Sequence, residues 1–175
     1  KISNEEKKVY VIFEAGLNHN GSHDLACQLV RAAAISGADA VKFQKRDIEA
    51  LATRQVLDSE EVRFPSLGST YREVRTKLEL SRDSYIALKD LAHELGLDFL
   101  VTPFDEPSLR FILDVGVDGI KIASHSVANP RLLQAIADSN LPVIMSSGMV
   151  TLPELDLAVK FFSGHHEFAL LHCTS

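Results

Sequence analysis

The chain has 175 residues, 46% hydrophobic and 24% charged, a composition that excludes disorder and suits a single globular domain. Its net charge of −6, with no Lys/Arg block, argues against a nucleic-acid binder, which must neutralise phosphates. There is no run of 18 apolar residues and no signal peptide, and Cys27 and Cys173 lie far apart with no C-x-x-C pair; a cytoplasmic protein with free thiols and no membrane partner is expected.

The first candidate strand is 9–15. It ends in Phe13-Glu14-Ala15-Gly16-Leu17-Asn18-His19-Asn20-Gly21, which sets a carboxylate where a buried strand is normally apolar. A helix follows from Ser22, with Leu25, Leu29, Ala32 and Ala33 on one face and Gly37 as its stop. The second strand, 40–44, leads into 45–80, a long charged insertion containing Pro65 and Gly68; such loops are usually functional or mobile. Its basic residues either close over a substrate or face solvent, and solvent is the simpler expectation. Ser81 caps a second helix carrying Tyr85, Leu88, Leu91, Ala92 and Leu95, stopped by Gly96. Strand 98–104 precedes a helix marked by Leu109, Ile112 and Leu113 and ended by Gly116. Strand 119–123 precedes a helix opened by Asn129-Pro130, strand 142–147 one opened by Thr151-Leu152-Pro153, and the sixth strand is 168–173.

Most of these runs are continuously apolar, as parallel strands covered on both faces are. Alternating β and α units then leave two α/β architectures, a doubly wound sheet or a (β/α)8 TIM-type barrel. No G-x-G-x-x-G follows the first strand, and polar residues gather at the C-terminal ends of several strands, which favours the barrel. About six βα units are present, so the last two are expected to be missing. The exposed sheet edges are then a route to self-association.

Lys42 and Lys121 carry the sharpest chemical signal. Each lies inside an apolar strand, in Val41-Lys42-Phe43 and Ile120-Lys121-Ile122. A buried ammonium is costly, so two at equivalent strand positions suit a fixed anion such as a phosphate or carboxylate. Three alternatives stand beside this: snorkelling to the barrel rim, an ion network with Glu14, and a Schiff-base lysine. Thr102, Ser124, Ser146 and Ser147 add hydroxyl donors, while Asp105 fits a helix N-cap. Glu14 suits pairing with a lysine, hydrogen bonds from a polyol, or proton transfer. His19 reads as structural, His165-His166 as a solvated loop, and His172-Cys173 as too divergent in direction for a metal pair.

Six segments in register resemble the N-acetylneuraminate (sialic acid) synthase family: E-A-G-x-N-H-N-G from Glu14, G-A-D-A-V-K-F-Q from Gly37, T-P-F-D from Thr102, K-I-A-S from Lys121, S-S-G-M from Ser146 and L-L-H-C-T-S from Leu170. The resemblance implies a phosphoenolpyruvate-dependent transferase on a TIM barrel. In such enzymes C3 of phosphoenolpyruvate attacks the aldehyde of an open-chain amino sugar such as N-acetylmannosamine, water adds at C2, and phosphate leaves. It further implies catalytic roles for Glu14, Lys42 and Lys121, with phosphoenolpyruvate held by Lys42, Thr102, Lys121, Ser124, Ser146 and Ser175. Gln44 and Phe104 match sugar-side positions. A divalent metal, manganese or magnesium, is implied with ligands outside this chain, as are a homodimer and a C-terminal antifreeze-like domain in the full-length protein. One departure is Ser126, which stands where the family more often has a sugar-contacting Glu. The other is the missing last two βα units, which would leave this piece inactive by itself. A non-catalytic binding module and a Schiff-base aldolase using Lys121 or Lys42 are the alternatives.

Overall fold

The computed structural model describes residues 9–164 and 167–174. The apolar runs form six strands: β1 (Ile12–Gly16), β2 (Ala40–Lys45), β3 (Asp98–Pro103), β4 (Gly119–Ile122), β5 (Val143–Ser146) and β6 (Phe168–Leu171). They make one sheet in chain order, β1-β2-β3-β4-β5-β6, each parallel to the next. A doubly wound sheet reverses its strand order at a switch point; this one never does, so it is barrel wall. β1 starts later than expected, at Ile12, and most strands end a residue or two early.

Side chains alternate across each strand, so one sequence run serves two environments. Val41 and Phe43 of β2, Phe99 and Val101 of β3, Ile120 and Ile122 of β4, and Val143 and Met145 of β5 face the helices. The other face packs Ala40, Leu100 and Ile144 against Tyr10, Ile12 and Ala169. The even positions further along β1 and β2, Glu14, Lys42 and Gln44, continue this second face toward the C-terminal end of the barrel.

Helix boundaries follow local capping chemistry. α1 (His23–Ile35) starts at Ser22, whose side chain accepts from the Leu25 N–H, and buries Ala26, Val30 and Ala33. The segment expected to be a loop, 45–80, instead holds three helices: α2 (Ile48–Leu51), α3 (Arg54–Leu57) and α4 (Tyr71–Leu78). In α4 the Glu73 N–H donates to Thr70 Oγ1 at 3.2 Å and the Thr70 N–H returns to Glu73 Oε2 at 3.4 Å. That T-x-x-E capping box is a sequence signal that the high polarity of the segment hid. Only Val74 and Leu78 of α4 are buried, too few to show a clear period. α5 (Arg82–Glu94) is capped by Ser81, α6 (Glu106–Val115) by Asp105, and α7 (Pro130–Asp138) by Asn129. Glu154 closes the start of α8 (Leu152–Lys160) by accepting from the Thr151 N–H and hydroxyl.

The turn after β1 explains its glycines. Gly16 and Gly21 have φ of +55° and +79°, the left-handed region that favours glycine. A Cβ on Gly21 would sit 1.8 Å from the Lys77 carbonyl oxygen, so the turn seats directly on the end of α4. His19 is buried beside it. Its Nδ1 accepts the Gly21 N–H at 3.1 Å, its ring lies 5.9 Å from Phe43, and burial lowers its pKa, as a structural histidine requires.

Gly21→Ala is therefore expected to cost about 2 kcal/mol or more, from both overpacking and backbone strain. A urea-unfolding midpoint equal to that of the parent chain would refute this contact.

Candidate functional site

Glu14 lies opposite Lys42 in the β1–β2 register, with its side chain on the same sheet face. Its Oε2 forms an ion pair with Lys42 Nζ. Oε1 accepts a 3.3 Å hydrogen bond from Gln44 Nε2. A Cβ on Gly16 would approach Glu14 Oε1 to 3.0 Å and Gln44 Nε2 to 3.4 Å, so the glycine leaves room for this pairing. The carboxylate at the end of β1 thus balances a lysine whose side chain is only 10% exposed. This is the Glu14 ion network held open by the sequence, but it covers only one of the two lysines.

Lys42 Nζ also donates to Thr102 Oγ1 at 3.3 Å, which leaves the Thr102 hydroxyl proton available to a ligand. Lys121 projects from β4 on the same face. It donates to the Ile122 carbonyl at 2.8 Å and to Ser146 Oγ on β5, both neutral oxygens. No carboxylate among the described residues forms a salt bridge with it. Burial, and then the charge of Lys42, lower its pKa to about 8; Cys173 and Glu14 push weakly the other way. The two ammonium groups therefore share one space and repel each other. Two cations and one carboxylate leave that space positive, which is the electrostatic condition for holding a small anion.

Ser124 opens the 3₁₀ turn Ser124–Ala128 after β4, and its Oγ accepts the Gly148 N–H at 3.1 Å, tying that turn to the end of β5. Its hydroxyl proton is free to turn toward an anion. Ser147 points elsewhere, its hydroxyl donating to the Leu171 carbonyl at 2.9 Å. Ser175 and His165-His166 lie outside the described residues. Among the described residues no group of three His, Cys, Asp or Glu side chains could hold a metal ion. A cavity of about 120 Å³ lies at the other, N-terminal end of the strands, lined by Tyr10, Asp98, Gly119 and Ile144, away from the lysines.

On the sugar side expected from Gln44 and Phe104, two residues emerge that the sequence did not single out. Arg46 Nη2 donates to Gln44 Oε1 at 2.9 Å, and its guanidinium lies 3.6 Å from the centre of the Phe104 ring. The His125 ring stacks on Phe104 at 5.2 Å. Ser126 is buried inside the 3₁₀ turn, so it is His125 that borders Phe104. The solvent-facing reading of the 45–80 cations holds for Arg54, Arg63 and Lys77 but fails for Lys45, Arg46, Arg72 and Arg75, which are partly buried. Lys45 pairs with Glu79 at 2.6 Å, and that carboxylate also accepts the Arg46 N–H at 3.3 Å. Strand ends and basic side chains in one helical insertion meet only through folding, which is why spacing alone did not link them.

Parallel strands in barrel order, with polar side chains converging at their C-terminal ends, define a (β/α)8-type protein with its site where such barrels act. Comparison with known proteins places it more narrowly. The chain belongs to the NeuB family, whose model matches residues 29–175. It is 39% identical over 169 residues to an N-acetylneuraminate-9-phosphate synthase of Drosophila melanogaster, covering 95% of this chain and 45% of that protein. It is 40% identical over 173 residues to an N,N'-diacetyllegionaminic acid synthase of Legionella pneumophila, covering 95% and 49%. A crystal structure of N-acetylneuraminic acid (sialic acid) synthetase from Leptospira borgpetersenii in complex with citrate superposes with a TM-score of 0.78 at 34% identity, covering 95% of this chain and 54% of that one. The chain thus spans about half the length of the curated relatives it matches.

The Lys121 environment has a measurable consequence. Its pKa is 10.5 when unperturbed and about 8 in the fold, so between these values the unfolded chain binds more protons than the folded one. Its contribution to stability therefore rises with pH across that window. Lys121→Met is expected to lose this rise, seen as the difference between parent and variant urea midpoints. A pH-independent difference would mean the ammonium is solvated.

Proposed function

We propose that the protein is a sialic-acid-type synthase that condenses phosphoenolpyruvate with an open-chain 2-acetamido sugar to give a nine-carbon 2-keto acid and phosphate. The observation that carries this reading is the lysine pair, of which only Lys42 has a carboxylate partner. Phosphoenolpyruvate brings a carboxylate and a phosphate to that uncompensated charge. Lys42, Lys121, Thr102, Ser124 and Ser146 would hold it, with Ser175 as a further donor. As C3 bonds to the aldehyde carbon, the carbonyl π electrons move to the aldehyde oxygen, which takes up a proton, and C2 becomes an oxocarbenium centre. Water then adds at C2 and gives up its protons as the C2–O bond to phosphate breaks, leaving the C2 ketone and inorganic phosphate. The two ammonium groups would favour the departing phosphate, because charge that develops there meets preorganised donors. Glu14, held by Lys42 and Gln44, would take or return a proton or orient the sugar.

The relatives named above are synthases of sialic-acid-type sugars, which supports the same class here. In this reading a divalent cation that polarises the aldehyde is held by groups outside the described residues, which offer it no ligand set of their own. The reading also has further βα units pairing with the free edges of β1 and β6, a C-terminal domain, a homodimer and a cytoplasmic setting. No helix among the described residues is long and apolar enough to cross a membrane.

One observation favours a second reading. A lysine with a pKa of about 8 is partly neutral near physiological pH and suits a Schiff base. The full-length protein, assayed for phosphate release with phosphoenolpyruvate, a divalent metal and a panel of 2-acetamido sugars, separates the two. Lys42→Met and Lys121→Met are each expected to lower kcat/KM about 100-fold or more, since each removes charged hydrogen bonds to the anion. A covalent adduct trapped by borohydride, with no phosphate released, would instead establish the aldolase.

A further inference from the structure

Lys121 combines three properties that a lysine seldom has together. It is only 9% exposed. Its nitrogen rests on two neutral oxygens, the Ile122 carbonyl and Ser146 Oγ, with no carboxylate among the described residues in a salt bridge to it. A second cation, Lys42, shares its space. The titratable groups that act on it are Lys42 from β2, which opposes its charge, and Cys173 beyond β6 and Glu14 from β1, which favour it to a lesser degree. Burial and Lys42 prevail and hold its pKa at about 8. About a tenth of such an amine is neutral at pH 7 and carries a free lone pair.

The groups around that lone pair suit a carboxylate attached directly to it. β3 pairs with β4 through Leu100–Gly119 and Val101–Ile120, so the next step of the same register sets Thr102 beside Lys121 on the shared face. Thr102 Oγ1 accepts from Lys42 Nζ at 3.3 Å and keeps its own proton to give. Lys42 has three N–H groups, of which Glu14 and Thr102 take two. Ser146 Oγ already touches Lys121 Nζ, and its hydroxyl can turn from acceptor to donor once an anion stands there. A carboxylate on Lys121 Nζ thus meets donors from β2, β3 and β5, and hydrogen bonds to such a charge are the strong kind.

We propose that Lys121 is a carbamate-forming site: carbon dioxide adds to its amine, and the carbamate, held by Lys42, Thr102 and Ser146, competes with phosphoenolpyruvate for the same donors. The lone pair of the neutral amine forms the N–C bond, one C–O π pair moves onto oxygen, and the nitrogen gives one proton to water. The modification replaces a cation by an anion at the centre of the site, which turns a phosphoenolpyruvate-attracting space into a repelling one. Carbon dioxide is small and neutral, and such molecules enter protein interiors without an open cleft. The competition rests on the synthase reading above; the carbamate itself does not.

In the test, the full-length protein is held under carbon dioxide at fixed pressure and treated with triethyloxonium ion, which esterifies a carbamate and makes it stable to peptide mass spectrometry. The expected result is label on Lys121 that rises with pH through about 8, because only the neutral amine reacts. Saturating phosphoenolpyruvate should lower that label about fivefold or more, while label on the protein's terminal amine, whose ordinary pKa is similar, does not respond. Thr102→Val should lower the Lys121 label by about fivefold or more, as loss of a hydrogen bond to a charged group predicts, and Thr102→Ser should restore it. In the phosphate-release assay, carbon dioxide should raise KM for phosphoenolpyruvate and leave kcat unchanged. In protein that condenses a sugar, a Lys121 free of label, or a label that phosphoenolpyruvate does not reduce, overturns the inference and leaves the synthase reading standing. Label on Lys121 in protein that releases no phosphate with any sugar supports the carbamate and removes the synthase reading with the competition.

Discussion

The site is organised around the cost of keeping two ammonium groups inside a barrel wall. Lys42 and Lys121 point into the same space from β2 and β4, and the charge of Lys42 raises the cost of charging Lys121. The fold answers this unevenly. Glu14 neutralises Lys42, while Lys121 receives only a carbonyl and a serine hydroxyl. A protein selected for stability alone would replace such a lysine with an apolar residue of similar size. Its retention makes sense if a ligand supplies the missing negative charge.

Much of the surrounding structure serves this arrangement. The strands end so that Glu14, Lys42, Thr102, Lys121 and Ser146 fall on one face at neighbouring heights. The glycines after β1 allow the turn to fold back over Glu14 and against α4. The buried His19 fills the base of that turn as a neutral ring. Asp105 shows the same economy: one oxygen caps α6 through the Ser108 N–H at 2.7 Å, and the other accepts the Asp47 N–H at 2.9 Å, locking the start of the helical insertion to the end of β3. That lock fixes the direction in which Arg46 leaves the strand.

The helical insertion then gives the site its second half. Lys45 and Arg46 share Glu79, Arg46 lies on Phe104, and Arg75 stands nearby on α4. A polar path runs from Lys42 through Glu14 and Gln44 to Arg46, so a change in charge at one end is felt along a chain of direct contacts.

The sequence by itself determined the strand order, the starts of the helices outside the 45–80 insertion and the identity of the inward lysines. Those follow from local rules: apolar runs, capping residues, and the cost of placing Lys inside Val-Lys-Phe and Ile-Lys-Ile. It also supported the family, because six short segments keep their order along the chain. It did not reveal helix α4, whose two buried residues are too few to show a period, nor that Ser126 is buried while His125 meets Phe104. Only the tertiary structure decided which lysine Glu14 pairs with, and that Arg46 lies on the Phe104 ring. Both depend on side chains distant in sequence but brought together by strand register and by one helix seated on a turn, and no local pattern encodes such a distance.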